Sequence, residues 1–108
     1  MSITLINAFT VPPRESEHFL SRWKENARIM THQPGFIGAR LHRSISDDAA
    51  LRFVNVAEWE SEDAFNTATA NPVWLSSVKV MLDDPDLHIT AHPATYNVEL
   101  ELLPGDDL

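Results

Sequence analysis

The sequence predicts an α+β protein of the ferredoxin-like type, in which an antiparallel sheet carries two helical regions on one face. The spacing of the apolar residues indicates, in chain order, a strand, a helix, two strands, a helix and a strand. This order is the βαββαβ arrangement. The length of 108 residues suits one domain and is too short for two. No internal repeat divides the chain. We therefore expect a single domain over residues 1–108, with a frayed tail at 103–108.

The first strand and the first helix are predicted by residue type and spacing. β-branched and aromatic residues fill Ile3 to Val11, and two prolines that follow cannot continue a sheet. One residue, Asn7, interrupts the apolar face of this strand. From Arg14 to Met30 apolar residues recur every three or four positions, which predicts an amphipathic helix that ends before a Pro-Gly pair.

The second and third strands, Phe36 to Ile45 and Leu51 to Trp59, are separated by a polar stretch that predicts a hairpin turn over residues 46–49. The third strand places Asn55 in a row of apolar side chains. A buried amide without a partner costs on the order of 1 to 3 kcal/mol. Asn55 is therefore expected to meet other polar groups or a ligand.

The register of this hairpin decides which side chains surround Asn55. A turn centred on residues 47–48 places Arg40 opposite Asn55 and His42 opposite Phe53, so both basic residues share the Asn55 face. A slip of one residue would exchange the two faces of the second strand. In the predicted register, the side chains on the sheet face opposite to Asn55 are almost wholly apolar. The two helical regions cover one face of the sheet and cannot cover this one as well. A symmetric homodimer with a barrel-like centre is its simplest cover.

The second helical region begins at Ser61, an N-cap residue followed by acids, and restarts at Pro72. Its second piece, Val73 to Leu82, is apolar apart from Lys79. After a loop that contains two histidines, Tyr96 to Leu102 alternates apolar and polar residues. This is the clearest strand pattern in the chain, and it predicts the fourth strand.

The composition excludes several classes of function. A net charge of −8 argues against binding to nucleic acids or anionic membranes. The chain has no cysteine, its histidines lack metal-ligand spacing, and no phosphate-binding or nucleophile motif is present, so no metal site is expected. No apolar run approaches the roughly 20 residues that cross a bilayer. We expect a cytoplasmic protein.

Two segments carry a family resemblance. PGFIGARLHRS and FVNVAEWESEDAF, in this order and at this spacing, resemble the antibiotic biosynthesis monooxygenase family of dimeric α+β barrel proteins. The similarity extends from Ile3 to about Leu102, and WESEDAF is its most specific part. The resemblance implies the dimeric barrel directly, whereas the reaction has to be assigned from individual residues because the family is chemically diverse.

One branch of that family degrades heme with an asparagine on the first strand and a tryptophan and a histidine on the second helical region. Asn7 matches the asparagine, but Ala68 and Val78 stand at the other two positions. The iron ligand is missing, so the resemblance does not imply heme cleavage.

A second branch oxidises aromatic polyketide phenols to quinones without a cofactor, and it matches better. Its third-strand asparagine and tryptophan correspond to Asn55 and Trp59, and its second-strand histidine corresponds to His42. Phe65 replaces a tyrosine, and Lys79 replaces a helical arginine. The phenolic hydroxyl and the bidentate guanidinium of the family site are therefore absent.

The chemistry that this resemblance implies needs no bound cofactor, because the deprotonated substrate itself reduces O2. The protein has to hold the anion, position oxygen and exclude water. Asn55 and Trp59 would donate N–H groups to the anion. Lys79 would supply positive charge, and His42 would transfer a proton near neutral pH.

Further candidates would bind the aromatic substrate beside Asn55: Asn7, Arg40, Phe65 and Trp74. Each candidate also has a structural alternative, such as core packing for an aromatic ring or extension to water for a lysine. The leading hypothesis is a homodimeric monooxygenase that acts on a phenolic or quinol-type aromatic. The alternatives are an enzyme of the same family that isomerises or breaks down a small reactive metabolite, and a non-catalytic dimeric binding domain.

Overall fold

A four-stranded antiparallel sheet with α-helices on one face forms the protein in the computed structural model, which describes all residues, 1–108. In chain order the elements are β1 (Ile3–Thr10), a 3-10 turn (Pro13–Glu15), α1 (Ser16–Met30), β2 (Phe36–Arg43), β3 (Phe53–Trp59), α2 (Glu62–Thr69), α3 (Pro72–Leu82) and β4 (Thr90–Tyr96). The strands are ordered β2-β3-β1-β4. The predicted fold class is confirmed. None of the helices combines the length and hydropathy that crossing a membrane requires.

The division of the second helical region follows from two N-caps, as predicted. The Ser61 hydroxyl accepts a hydrogen bond from the Ala64 N–H at 3.0 Å and starts α2. The Asn71 side-chain oxygen accepts from the Val73 N–H at 2.8 Å and starts α3. Each cap satisfies an N–H that has no partner inside its helix.

Two apolar clusters hold the helices on the sheet. In the first, Phe19 of α1 stacks on Phe53 of β3 with ring centroids 4.8 Å apart. The second is built around Trp59 at the other end of β3 and includes Ala68 of α2. Between these clusters, on the same face of β3, lies Asn55.

The predicted register of β2 against β3 was wrong by one residue over most of its length. Leu41, and not Arg40, lies opposite Asn55. A β-bulge at Ile37 shifts the register by one residue, so that only the pairing of Phe36 with Trp59 is as predicted. The predicted turn over residues 46–49 is present, with the Ala49 N–H donating to the Ser46 carbonyl oxygen at 3.3 Å, but it lies within a longer loop of residues 44–52. Inside this loop Arg52 is buried and donates to Ser16 and Ser44 side-chain oxygens, so loop packing sets the register.

This shift exchanges the faces of β2. Arg40 and His42 lie opposite Val56 and Val54, away from Asn55. We use the name reverse face for the side of the sheet that the helices do not cover. It carries the following side chains: Thr4, Ile6, Ala8, Thr10, Arg40, His42, Val54, Val56, Glu58, Thr90, His92, Ala94 and Tyr96. It is more polar than predicted, because β2 contributes two basic residues to it.

The fourth strand was also predicted in the wrong place. β4 covers Thr90–Tyr96 and pairs with β1, so His92, expected in a loop, lies in a strand. Residues 97–102 have no regular structure, and their apolar side chains are exposed. Tyr96 already pairs with Thr4 near the start of β1, so the alternating residues after it run beyond the end of that strand.

Candidate functional site

A cavity of about 770 Å³ lies between the sheet and the helices. This volume is within the range of about 300 to 1,000 Å³ that is typical of small-molecule sites. Its floor, which is the helix side of the sheet, includes Leu5, Asn7, Phe9, Asn55, Ala57 and Trp59. The opposite wall comes from α1, α2 and α3. Alanines at 39 and 57, which pair across β2 and β3, leave room above the floor.

Two asparagines form the polar centre of the floor. Asn7 of β1 and Asn55 of β3 are cross-strand partners, and we call them the amide pair. Leu41 and Pro93 continue the same row on the outer strands, so the pair has apolar neighbours on both sides. The Oδ1 atoms of both asparagines are buried and make no hydrogen bond. Such unpaired groups are costly, which is typical of a site that a polar ligand completes.

Trp59, four residues after Asn55 on the same face of β3, adds a third unpaired polar group to the cavity lining. Its side chain is buried, and its indole N–H has no acceptor in the protein. Phe36 and Phe65 hold the ring edge-on, with centroid distances of 5.3 and 5.8 Å. These two contacts orient the indole ring, and a buried indole N–H normally has a hydrogen-bond partner.

The cavity contains no ionisable side chain. Its lining is apolar apart from asparagines, threonines and the N–H groups of tryptophans. An anion in this cavity would be stabilised by N–H dipoles, which act strongly where water is excluded. No lining residue can serve as a general base.

The structure brings together five of the residues that the sequence predicts for the site. Asn55 and Trp59, predicted as catalytic, line the cavity, and so do Asn7, Phe65 and Trp74, predicted as substrate-binding. They come from β1, β3, α2 and α3. The roles themselves remain predictions, whereas the common location is a property of the fold.

The three basic candidates lie outside the cavity. His42 and Arg40 are on the reverse face, and the His42 Nδ1 is 3.3 Å from the Val54 carbonyl oxygen. The Lys79 side chain is 75% exposed on α3 and forms an ion pair with Asp83, which raises the pKa of Lys79. Lys79 follows the cavity residue Val78 by one position, which turns it about 100° around the helix axis.

One polar residue of the site, Asn26, was not predicted. It lies on α1, is 6% exposed and lines the cavity wall that faces the floor. The signal was present in the sequence, since Asn26 is spaced three residues after Trp23 and four before Met30, both of which line the cavity. A polar residue in the apolar stripe of a helix is the same kind of exception that identified Asn55 in a strand.

Two carboxylates paired with histidines lie beyond the cavity. Burial raises the pKa of Glu15, but hydrogen bonds from the backbone N–H and imidazole of His88 outweigh it, so the net pKa is lowered. The His18 imidazole, 2.6 Å from the Asp84 carboxylate, and the Asp86 backbone N–H lower the pKa of Asp84 to about 2. These pairs tie the segment after α3 to the start of α1.

The side chains that line the cavity do not fit a heme whose iron is bound by a histidine. Neither a histidine nor a tyrosine lines it, and Val78 occupies the wall where the resemblance would place an iron ligand. No group of three or more histidine, aspartate or glutamate side chains in the chain is arranged to hold a metal ion.

Comparisons with known proteins identify the relatives of this fold. The family model described as antibiotic biosynthesis monooxygenase matches residues 2–80. Deoxynogalonate monooxygenase of Streptomyces nogalater is 37% identical over 73 residues, which are 68% of this chain and 59% of that protein. The match thus spans about three fifths of that relative. A mycobilin-producing heme oxygenase of Mycobacterium tuberculosis is 31% identical over 72 residues, 67% of each chain.

Among solved structures, the chain is similar to SnoaB, a cofactor-independent oxygenase from Streptomyces nogalater. The TM-score is 0.76 and the sequence identity 30%, with 95% of this chain and 97% of that chain covered. The similarity therefore includes β4 and part of the segment after it, which the family model does not reach.

Proposed function

We propose that the protein oxidises a phenolic or quinol-type aromatic with O2 and without a bound cofactor. The premise is that the chain belongs to the antibiotic biosynthesis monooxygenase family. The observation that carries the proposal is the amide pair and the unpaired Trp59 N–H on the same face of β3, in an apolar cavity without ionisable groups. The likeness to deoxynogalonate monooxygenase and to SnoaB supports the same reaction class. Arg40, His42 and Lys79 have no part in the proposal, because they lie outside the cavity.

The first task of this site is to hold a substrate anion. The oxygen of a phenolate or enolate would accept hydrogen bonds from the side-chain N–H groups of Asn7 and Asn55, whose unpaired Oδ1 atoms would accept one from a substrate hydroxyl. Trp59, about 13 Å from Asn55 along β3, would donate its indole N–H to a second oxygen of the substrate. Hydrogen bonds to a charged oxygen are roughly twice as strong as those between neutral groups. The proton leaves with water, since no lining side chain can accept it. Phe65 and Trp74 would pack against the aromatic rings.

The second task is oxygenation of an electron-rich ring carbon. The anion transfers one electron to O2, and the two radicals combine to form a C–O bond. A proton then completes a hydroperoxide. Loss of water breaks the O–O bond and the remaining C–H bond of that carbon and leaves a carbonyl. A CH2 group and O2 thus give a C=O group and H2O, with one oxygen atom in each product.

Oxygen uptake tests this function. With anthrone as substrate, the wild type should consume O2 and release anthraquinone faster than the uncatalysed reaction. Asn55→Ala should lower kcat by about 10²- to 10³-fold, as loss of one oxyanion donor does in other enzymes. Asn66→Ala, at an exposed asparagine on α2, is the matched control and should match the wild type. Equal rates for Asn55→Ala and the wild type, or no uptake above background, would contradict the proposal.

The alternatives have less support from the site. Isomerisation usually requires a positioned acid or base, and no such group lines the cavity. A purely structural domain would be expected to fill the space between Phe36, Trp59 and Trp74 with side chains, whereas a cavity of about 770 Å³ lies there. Activity that persists under strict anaerobiosis would favour an isomerase over an oxygenase.

We further propose that two copies associate through the reverse face. Ile6, Ala8, Val54 and Val56 lie together on that face and are only half-buried in one chain. The apolar side chains of residues 97–102 add further unpaired apolar surface next to β4. A second copy would bury both without disturbing the cavity on the other side of the sheet.

A further inference from the structure

Asn26 is held in a defined orientation on the cavity wall. The Ser77 hydroxyl of α3 donates a hydrogen bond to the Asn26 Oδ1 at 2.6 Å. Ser77 does not line the cavity, whereas Asn26 does. The amide oxygen of Asn26 is therefore engaged on the helix side, and the opposite end of the amide, Nδ2, is left for other contacts.

The Nδ2 group of Asn26 is poorly satisfied within the protein. Its one acceptor is the Met81 sulfur, at 3.5 Å. A thioether is a weak acceptor, and an amide nitrogen carries two hydrogens. With Asn26 6% exposed, water has little access to the remaining N–H. A donor this deeply buried, on a side chain that lines the cavity, is suited to an oxygen atom of a ligand.

We propose that Asn26, positioned by Ser77, binds the oxygen atom that the reaction places on the ring. The amide pair lies on the floor and Asn26 on the wall that faces it. A flat ligand that stands on edge between them would present opposite edges to the two sites. With the substrate oxygen at the amide pair, the carbon on the far edge of the ring is directed toward Asn26. This inference rests on the proposed function, and it assigns to Asn26 a second polar contact with the substrate, in addition to the contact at the amide pair.

Two commercially available ligands isolate that contact. Anthrone has one carbonyl, and 9,10-anthraquinone has a second one on the opposite edge of the same ring. Measured by tryptophan fluorescence quenching without O2, the wild type should bind anthraquinone more tightly than anthrone. Asn26→Leu should weaken anthraquinone binding by about 3- to 10-fold, the effect of one lost hydrogen bond. Its affinity for anthrone should change by less than about 2-fold, since anthrone has no oxygen at that edge.

Further variants separate recognition from folding. Ser77→Ala leaves the cavity lining intact but removes the hydrogen bond that orients the Asn26 side chain. It should therefore reduce the preference for anthraquinone over anthrone, by less than Asn26→Leu does. Ser76→Ala, at the exposed neighbouring serine, should keep the wild-type preference. In oxygen-uptake kinetics with anthrone, Asn26→Leu should lower kcat and leave KM unchanged, whereas a general loss of structure would raise KM.

The results also distinguish this inference from the proposed function. Equal binding of the two ligands by the wild type, or equal weakening of both in Asn26→Leu and Ser77→Ala, overturns the role of Asn26 even if the protein consumes O2. A preference that Asn26→Leu removes supports the role of Asn26. If the wild type shows that preference but consumes no O2, the oxygenase proposal fails while the binding role of Asn26 stands.

Discussion

Glu15 and Asp84 are the acidic residues whose chemistry the fold changes most, and both serve stability outside the cavity. The Asp84 side chain is 5% exposed and contacts His18 of α1 as well as Arg22, whose Nε donates to it at 3.1 Å. Glu15 is held in the same way by His88. Each carboxylate is stabilised in its ionised form, so the folded state binds protons less readily than the unfolded chain.

This difference predicts a loss of stability in acid. A carboxyl whose pKa is lowered by folding stabilises the protein above its unfolded pKa, and that stabilisation is lost as the pH falls toward the folded pKa. For Asp84, whose folded pKa is about 2, the loss should occur as the pH falls from about 4 to 2. Asp84→Asn should be less stable than the wild type at pH 7 and should lose less stability over that interval.

Urea unfolding followed by tryptophan fluorescence at pH 7, 4 and 3 measures this effect. Asp107→Asn, at an exposed carboxylate near the end of the chain, should follow the wild-type pH dependence and serves as the control. If Asp84→Asn and the wild type had the same unfolding midpoint at every pH, the ion pairs at Asp84 would not contribute to stability.

Single residues also show which parts of the site were predictable. Asn7 and Asn55 were identified because a polar side chain in an apolar strand row is an exception that the sequence displays by itself. His42 and Lys79 were assigned by matching positions to a family. His42 lies outside the cavity because the register of β2 is shifted by one residue, and Lys79 because it is one position further along α3 than the cavity residue Val78. Local periodicity is robust to these small displacements within an element, whereas positional matching is not.

At the scale of elements, the connection between α1 and β2 depends on Gly35. Its φ of +87° is in the left-handed region. A Cβ added there would lie 2.5 Å from the Cβ of Ala64, at the start of α2. The Gly35 carbonyl also accepts a hydrogen bond from the Glu60 N–H at 2.8 Å. The chain therefore requires glycine for both its backbone conformation and its close approach to α2.

Gly35→Ala should destabilise the protein by about 2 kcal/mol or more, because the left-handed conformation and the steric overlap both oppose a side chain. The free energy of unfolding in urea measures it. Gly38→Ala, within β2 and without an atom near its added Cβ, should change stability by less than about 1 kcal/mol. Similar effects of the two substitutions would contradict this account of Gly35.

Elements were predicted well where their signals are local and poorly where pairing is distant. The caps at Ser61 and Asn71 act within a few residues, and the sequence placed both correctly. The β2–β3 register depends on the buried contacts of Arg52, which no local pattern reveals. The position of β4 depends on which segment reaches β1, and the strongest alternating pattern, Tyr96 to Leu102, lies mostly beyond that segment.

At the scale of the whole molecule, the two faces of the sheet differ in what covers them. The helix side contains both apolar clusters and the cavity. The reverse face has no cover within the chain, and the alternating residues Val98, Leu100 and Leu102 are 67%, 66% and 53% exposed. Apolar surface of this extent is typical of an interface. A segment with strand periodicity and no partner is also suited to pair with another copy.

Association through the reverse face makes a prediction about mass. Light scattering at micromolar concentration should give twice the mass of one chain. Ile6→Asp, between Val56 and Ala94 on that face, should raise the dimer dissociation constant by at least about 100-fold, since burying an unpaired carboxylate costs several kcal/mol. Val80→Asp, at a valine that is 51% exposed on α3, introduces the same charge on the helix side and should remain dimeric. A wild type with the mass of one chain, or an Ile6→Asp variant as dimeric as Val80→Asp, would contradict this interface.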